Sequence, residues 1–220
     1  MLSFRALRRI TRSFPELEMT GRFASESLIV MRSPAQYPNQ RVGIFVDVQN
    51  LYHSAKNIYH GRVNYEELIK HLLGERQLIR AMAYVVKSEG IVDIPATRHG
   101  QGAAAEASAE STFFEALEKA GLELRMKDLQ VWADGAKKAD WDVGMAVDAI
   151  RMSSFLDVII LVTGDGDFLP LIDYLKWGAG RMVEVAAFRR SASAKLQEAA
   201  DRFVSIEDVP RAIMKLKTRK

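Results

Sequence analysis

The strongest strand signal in the chain is Asp157-Val158-Ile159-Ile160-Leu161-Val162, and it runs directly into Thr163-Gly164-Asp165-Gly166-Asp167-Phe168. A short apolar run rich in β-branched residues is typical of a strand buried on both faces of a parallel sheet. Because the aspartates follow the strand, they lie at its carboxyl end. Ligands of open parallel sheets bind beyond that edge. The stretch therefore predicts a parallel sheet and the place of a functional site on it.

Strands and helical segments alternate outward from this stretch. Four further strands are predicted, at residues 42–46, 77–86, 122–131 and 181–187. Helical patterns separate them and end the domain, at residues 48–59, 64–73, 111–120, 142–155, 168–177 and 193–200. This alternation predicts right-handed βαβ units and an α/β fold, a Rossmann-like parallel sheet of about five strands with helices on both faces. Residues 88–108 give no clear structural signal, and long loops inside compact domains are often functional.

The composition is that of an ordinary globular domain. The 220 residues are 48% hydrophobic and 27% charged, and none is cysteine. The lack of cysteine excludes disulfides, zinc–thiolate sites and cysteine nucleophiles, so a metal would need oxygen or histidine ligands. The longest apolar run, Val158 to Val162, is too short to cross a bilayer. We therefore expect a cytoplasmic protein with no membrane partner.

Both ends of the chain are basic. The first twelve residues contain four arginines and no acid, and the last ten contain five basic residues and no acid. Basic ends around a more acidic middle favour a polyanionic ligand, and solubilising tails explain them equally well. We predict a flexible basic extension at residues 1–40, a folded domain at 41–208 and a basic tail at 209–220. The extension ends in a proline-bearing linker, and we expect the fold to survive its removal.

Aspartates follow two of the predicted strands. Asp47 ends the strand at 42–46, as Asp165 and Asp167 follow the strand at 157–162. Carboxylates crowded at one place repel each other unless a cation neutralises them. Mg²⁺ and Mn²⁺ prefer oxygen ligands and would do so. The sequence thus predicts a divalent metal site, whereas for any one aspartate alone the alternative is a cap on the helix that follows it.

A third acidic stretch opens the helix predicted at residues 142–155. Asp142 begins that helix, so it can cap the helix or reach into the site. Asp148 lies about 240° further round the helix, which leaves it either on the surface or behind the metal ligands. It flanks a predicted apolar stripe formed by Val143, Val147 and Ile150.

Three motifs occur in a fixed order along the chain. They are Val46-Asp47-Val48-Gln49-Asn50-Leu51, Lys138-Ala139-Asp140-Trp141-Asp142-Val143-Gly144-Met145-Ala146-Val147-Asp148 and Thr163-Gly164-Asp165-Gly166-Asp167-Phe168-Leu169-Pro170-Leu171. Together with Leu196–Phe203, they resemble the NYN domain of LabA-like proteins, which belong to the PIN-like nuclease superfamily. The resemblance covers about Arg41 to Asp208.

The resemblance implies a PIN-like fold and a Mg²⁺ or Mn²⁺ site whose ligands are also the catalytic residues: Asp47, Asp142, Asp165 and Asp167. Asn50 matches the polar position after the first aspartate, and Asp148 matches the second helix carboxylate, so Asp148 joins the metal candidates. A phosphatase of the haloacid dehalogenase type would need an aspartate where Gln49 stands. No P-loop or dinucleotide-binding motif is present in the sequence.

Basic and polar residues near the predicted edge are candidates for substrate binding: Asn50, Arg98, Lys138, Arg189 and Arg190. The function that we expect is metal-dependent hydrolysis of RNA phosphodiester bonds. RNA is favoured by the resemblance, because the residues alone do not separate RNA from DNA. The alternative is a non-catalytic regulator that binds nucleic acid or protein on the same fold. The role of Asp140 and the oligomeric state, a homo-oligomer included, stay open.

Overall fold

The computed structural model describes residues 36–87, 102–128, 130–131, 137–138 and 141–215. Residues 1–35 of the predicted extension lie outside these ranges. So do Arg98, Asp140 and the side chain of Lys138. None of the helices in the described ranges is long and apolar enough to span a membrane.

A parallel sheet forms the centre of the domain. In chain order the strands are β1 (Arg41–Asp47), β2 (Gly61–Val63), β3 (Gln77–Lys87), β4 (Glu123–Asp128), β5 (Gln130–Val131), β6 (Lys137–Lys138), β7 (Val158–Val162), β8 (Met182–Ala187), β9 (Arg202–Ser205) and β10 (Ile213–Lys215). Six of them form one sheet in the order β4-β3-β1-β7-β8-β9, and every neighbouring pair is parallel. This is the strand order of a doubly wound Rossmann sheet. The predicted α/β fold is confirmed.

Helices connect the strands and cover both faces of the sheet. They are α1 (Val48–Tyr59), α2 (Tyr65–Leu73), α3 (Gly102–Lys119), α4 (Asp142–Met152), α5 (Leu169–Asp173) and α6 (Ala194–Ala199). Short 3-10 turns occupy Ser153–Phe155, Gly166–Phe168 and Ile206–Asp208, and a π-helical turn, Tyr174–Gly178, extends α5.

The two faces of the sheet pack into two hydrophobic clusters. Along β7, Ile160 belongs to the cluster with α1 and α2, whereas Ile159 and Leu161 belong to the cluster with α4 and α5. All five residues of β7 are buried. Because neither face of this strand meets water, its sequence is apolar throughout instead of alternating.

The sheet has one more strand than the sequence predicted, and helix α3 is longer. A sixth strand, β9, lies at the edge beyond β8. Helix α3 begins at Gly102, so residues 102–108 are helical where no regular structure was expected. That stretch is rich in alanine, the residue with the highest helix propensity, and its weak amphipathic pattern concealed it.

The folded domain continues past residue 208, where a basic tail was predicted. Val209 and Ala212 are buried, and β10 pairs antiparallel with β2. The Asn64 N–H donates to the Ala212 carbonyl over 2.8 Å. Arg211, counted among the tail cations, donates to a Glu67 carboxylate oxygen at 2.9 Å. The ordered fold therefore continues through the stretch predicted as a tail as far as residue 215.

Helix α4 turns a different face to the sheet from the one predicted. Its buried residues are Met145 and Ala149. Polar contacts from Trp141 and Asp148 to β3 set the rotation of the helix. The predicted apolar stripe is exposed, at 73%, 45% and 39% for Val143, Val147 and Ile150.

A buried ion pair joins the loop after α2 to strand β8. Two guanidinium nitrogens of Arg76 lie 2.7 and 3.1 Å from the two carboxylate oxygens of Glu184 in β8. Arg76 also donates to the carbonyls of Leu72 and Leu73, at 2.5 and 3.0 Å. Both charged side chains are only 1% exposed, so Arg76 depends on Glu184 for its counter-charge, while Glu184 also accepts from Arg202 at 3.4 Å.

We expect Glu184→Gln to lower the free energy of unfolding by about 3–5 kcal/mol, because the buried Arg76 charge would lose its counter-charge. Urea unfolding at neutral pH measures the change. Glu123→Gln is the matched control, because Glu123 pairs with Arg80 where both side chains are about half exposed, at 53% and 50%. That variant should lose less than about 1 kcal/mol. Equal, small losses in both would contradict a structural role for the buried pair.

Candidate active site

The order of the strands reverses between β1 and β7. β3 and β4 follow β1 in sequence and lie on one side of it in the sheet. β7, β8 and β9 come later and lie on the other side. Such a reversal opens a crevice beyond the carboxyl ends of the two central strands. Asp47 is the last residue of β1, and Asp165 follows the end of β7. Both therefore lie at this crevice.

Asp47 is held by hydrogen bonds from both sides of the crevice. Its Oδ1 accepts from the Asn50 N–H at 3.0 Å, and its Oδ2 accepts from the Thr163 hydroxyl at 3.1 Å. The Asn50 side-chain oxygen in turn accepts from the Gly164 N–H at 3.0 Å. Asn50, a predicted substrate-binding residue, thus ties the end of β7 to the start of α1.

The surroundings of Asp47 disfavour its charged form. Burial raises the pKa of Asp47, and the negative charge of Asp165 raises it further, while the hydrogen bonds from Asn50 and Thr163 act in the opposite direction. The buried Tyr65 is close enough to be affected by the Asp47 charge. Burial raises the pKa of its phenol, and the negative charge of Asp47 raises that pKa further. A cation bound at this place would relieve the repulsion between the two carboxylates.

Asp165 and Asp167 lie on the turn that follows β7. Asp165 Oδ1 accepts from the Asp167 N–H at 2.9 Å, so Asp165 caps the 3-10 turn, and Asp167 is exposed. Asp47 and Asp165 therefore both cap the helical turn that follows their strand, as the capping alternative predicted. Capping uses only some of the hydrogen-bond acceptor sites of a carboxylate.

The glycines of this turn are required by the chain itself. A Cβ on Gly164 would lie 3.0 Å from the Ser191 carbonyl oxygen, and one on Gly166 would lie 3.1 Å from the Ser193 hydroxyl. The two glycines therefore leave room for the close approach of the loop after β8. The Ser193 N–H donates to the Gly164 carbonyl at 3.0 Å.

Asp142 begins α4 near the same edge. The N-cap residue is Trp141, whose side chain makes no capping bond, so Asp142 lies inside the first turn. The Trp141 indole N–H donates to the Val85 carbonyl at 2.9 Å, and its ring packs edge-on against Tyr84. Because Tyr84 is the β3 register partner of Asp47, the start of α4 is anchored beside the end of β1.

Of the two places predicted for Asp148, the surface is wrong, because its side chain is only 15% exposed. Its Oδ2 accepts from the Tyr84 hydroxyl at 3.1 Å and lies 3.5 Å from Arg125 Nε. Burial, followed by the charge of Asp148, raises the pKa of Tyr84. Asp148 therefore clamps α4 to β3 and β4, behind the strand end that carries Asp47.

No three histidine, aspartate or glutamate side chains converge on one metal-sized site within the described ranges. Mg²⁺ is nevertheless often bound by one or two carboxylates, with water and substrate phosphate as the other ligands. The Asp47–Asp165 pair, partly buried and mutually repulsive, fits such a cation. The convergence of all four aspartates stays a prediction.

The predicted basic residues fall into two groups. Arg189 and Arg190 lie just past the carboxyl end of β8 and are exposed, on the same edge as the aspartates. Arg98 and the side chain of Lys138 lie outside the described part of the chain.

Thr163 and Tyr84 are site residues that the sequence reasoning missed. Thr163 lies between a buried strand and the aspartate turn, and its position in the Thr-Gly-Asp-Gly-Asp run was a usable signal. Tyr84 lies inside an apolar strand and gave none. Among the tryptophans, Trp141 packs against the hydrophobic cluster that contains α4 and α5, whereas Trp177 is 82% exposed.

The family model of the NYN domain matches residues 41–207. The chain belongs to the NYN domain family. NYN domains have a PIN-like nuclease fold and are generally nucleases. Membership of this family supports the assignment of the chain as a hydrolase that acts on nucleic acid. A protein of unknown function from Vibrio parahaemolyticus has a similar crystal structure, with a TM-score of 0.67 and 29% sequence identity over 82% of this chain and 99% of that chain. No curated protein matches the chain.

In this NYN domain we expect Asp47→Asn to hold or raise the free energy of unfolding at neutral pH in EDTA. Asparagine has nearly the same shape as aspartate and can still cap α1. It lacks the partly buried negative charge that Asp165 repels. Since the folded pKa of Asp47 is raised, the ionised form costs stability above that pKa. The cost vanishes below about pH 4, where both the folded and the unfolded chain bind the proton.

Urea unfolding of both proteins across this pH range measures the difference. Asp173→Asn is the control, because Asp173 is exposed on α5 and its charge change should leave stability within about 0.5 kcal/mol. A large loss of stability in Asp47→Asn at neutral pH would show that its hydrogen bonds outweigh the burial of its charge.

Proposed function

We propose that this protein is a LabA-like, divalent-metal-dependent ribonuclease that hydrolyses RNA phosphodiester bonds at the crevice between β1 and β7. The observation that carries the proposal is the pairing of Asp47 with Asp165 there, with Asp47 partly buried and its pKa raised. An aspartate with a purely structural role is usually stabilised in its ionised form by its hydrogen bonds. A carboxylate held in surroundings that raise its pKa therefore indicates a functional site.

Asp47 and Asp165 are the residues that would hold Mg²⁺ or Mn²⁺, with Asp142 and Asp167 completing or orienting the ligand shell. When bound, a divalent cation supplies positive charge for the phosphate and lowers the pKa of a water molecule. The chain itself keeps the ligands in place. Thr163 and Asn50 fix both oxygens of Asp47, and the Asp167 N–H fixes Asp165.

Asp167 is the residue best placed to handle a proton in the reaction. It is exposed to water and lies two residues after Asp165 on the same turn. In hydrolysis, water attacks phosphorus, its proton passes to a base and the leaving oxygen departs with the released strand. An exposed carboxylate beside the attacked phosphate can orient that water and accept its proton.

The closest alternative is a non-catalytic protein that binds nucleic acid or a protein partner on the same fold. The two functions differ in what the loss of a carboxylate does. A nuclease loses turnover, whereas a binding protein keeps or gains affinity for a polyanion when a negative charge is removed.

We expect the purified protein to cleave RNA with Mn²⁺ and not with EDTA. Asp47→Asn and Asp165→Asn should each lower the cleavage rate by more than about a hundredfold. Even the loss of a residue that only supports a metal ligand lowers activity ~10–100-fold. Gel analysis of a labelled mixed RNA pool measures the rates. Asp157→Asn is the control, because Asp157 lies before β7 at the opposite edge and pairs with Arg41. It should keep full activity.

Asp148→Asn separates the structural role of Asp148 from a role as metal ligand. Its amide oxygen can still accept from the Tyr84 hydroxyl, so we expect activity to fall only severalfold. A null enzyme would favour the ligand role implied by the family motif. If the folded wild-type protein with Mn²⁺ leaves all RNA and DNA substrates intact, the enzyme proposal fails and the binding function replaces it.

A further inference from the structure

The β8 loop, residues Phe188–Ser193, is held firmly at the same edge as the aspartates. The N–H groups of Ser191 and Ala192 both donate to the Phe188 carbonyl at 3.0 Å, and the Ser193 N–H donates to Gly164. The Gln197 amide donates to the Ala192 carbonyl at 3.1 Å. The loop therefore lies directly against the turn that carries Asp165.

Glu207 fixes the beginning of this loop. Its two oxygens accept from the Arg189 N–H at 3.0 and 3.2 Å, and one of them accepts from the Ser205 hydroxyl at 2.6 Å. The Tyr59 hydroxyl donates to Glu207 as well. Burial raises the pKa of Glu207, but these hydrogen bonds outweigh it and the pKa is lowered, so the carboxylate stays charged at neutral pH.

The two arginines of the β8 loop differ in what they contact. The Arg189 guanidinium donates to Asp208 Oδ2 at 2.9 Å. Arg190 is exposed, and in the described ranges its guanidinium makes neither an ion pair nor a hydrogen bond. Asp208 thus partly neutralises Arg189 in an exposed pair, with the two side chains 63% and 71% exposed, whereas Arg190 has no such partner in these ranges.

We propose that Arg190, rather than Arg189, binds a backbone phosphate of single-stranded RNA beside the one that is cleaved. The inference rests on the proposed function and names a residue that positions its substrate. A strand that crosses the sheet edge from the β1–β7 crevice next meets the β8 loop. A guanidinium forms bidentate, charge-assisted hydrogen bonds with phosphate, and a rigid loop presents it with little loss of entropy.

The test is binding of a fluorescent single-stranded RNA to the full chain in EDTA, followed by anisotropy at several salt concentrations. Arg190→Ala should weaken binding roughly tenfold, the effect of one charge-assisted hydrogen bond. The slope of log affinity against log salt should become about 0.7 less steep. Arg189→Ala removes the same charge one residue away and should change affinity less than about twofold.

Asp208→Asn provides a gain-of-function control, because it releases Arg189 and should tighten RNA binding. Equal effects of Arg189→Ala and Arg190→Ala, or no effect of Arg190→Ala, would overturn the proposal and leave only a general effect of charge. Steady-state cleavage with Mn²⁺ keeps the two proposals separate. If the wild type cleaves and Arg190→Ala has an unchanged KM, only the role of Arg190 fails. If Arg190→Ala loses binding but the wild type never cleaves, only the nuclease proposal fails.

Discussion

The parallel pairing of β1 with β7 is the contact on which the candidate site depends. Val46 and Val162 are register partners at the end of this pair. The residues that follow them, Asp47 and Thr163, therefore lie side by side and form a hydrogen bond. Both strands are buried on both faces. The favourable burial of these strands holds a carboxylate in surroundings that oppose its charge, as functional sites commonly require.

Support for the aspartates comes from three directions. Thr163 and Asn50 hold Asp47 from within the crevice, and the β8 loop closes against the turn of Asp165. Behind them Tyr84 connects β3 to α4 through Asp148. The capping and metal-binding interpretations of the aspartates are therefore compatible, because the backbone N–H groups that are capped also fix the carboxylates.

The sequence predicted the central strands and the aspartates at their ends because long apolar runs and their flanking residues are local signals. It missed β2, β6, β9 and β10, which are two to four residues long and carry little local signal. It also predicted a single strand at residues 122–131, where β4 and β5 belong to different sheets. The rotation of α4 was also mispredicted. A periodic pattern of apolar residues predicts the buried face from hydrophobicity alone. In α4 the polar contacts of Trp141 and Asp148 with β3 decide instead which face is buried. Glu184 inside an apolar strand gave no indication that Arg76 compensates its charge.

The place of β10 in the fold has a consequence for synthesis on the ribosome. β2 follows the first helix, yet its antiparallel partner is the last strand that the structure describes. Val209 and Ala212, which complete the cluster over α1 and α2, also belong to this final stretch. A nascent chain emerges from its N-terminus onward, so β2 and one side of the core stay uncovered until residues 209–215 have been synthesised. During that interval the exposed surface is a site for chaperone binding or for misassembly with neighbouring chains.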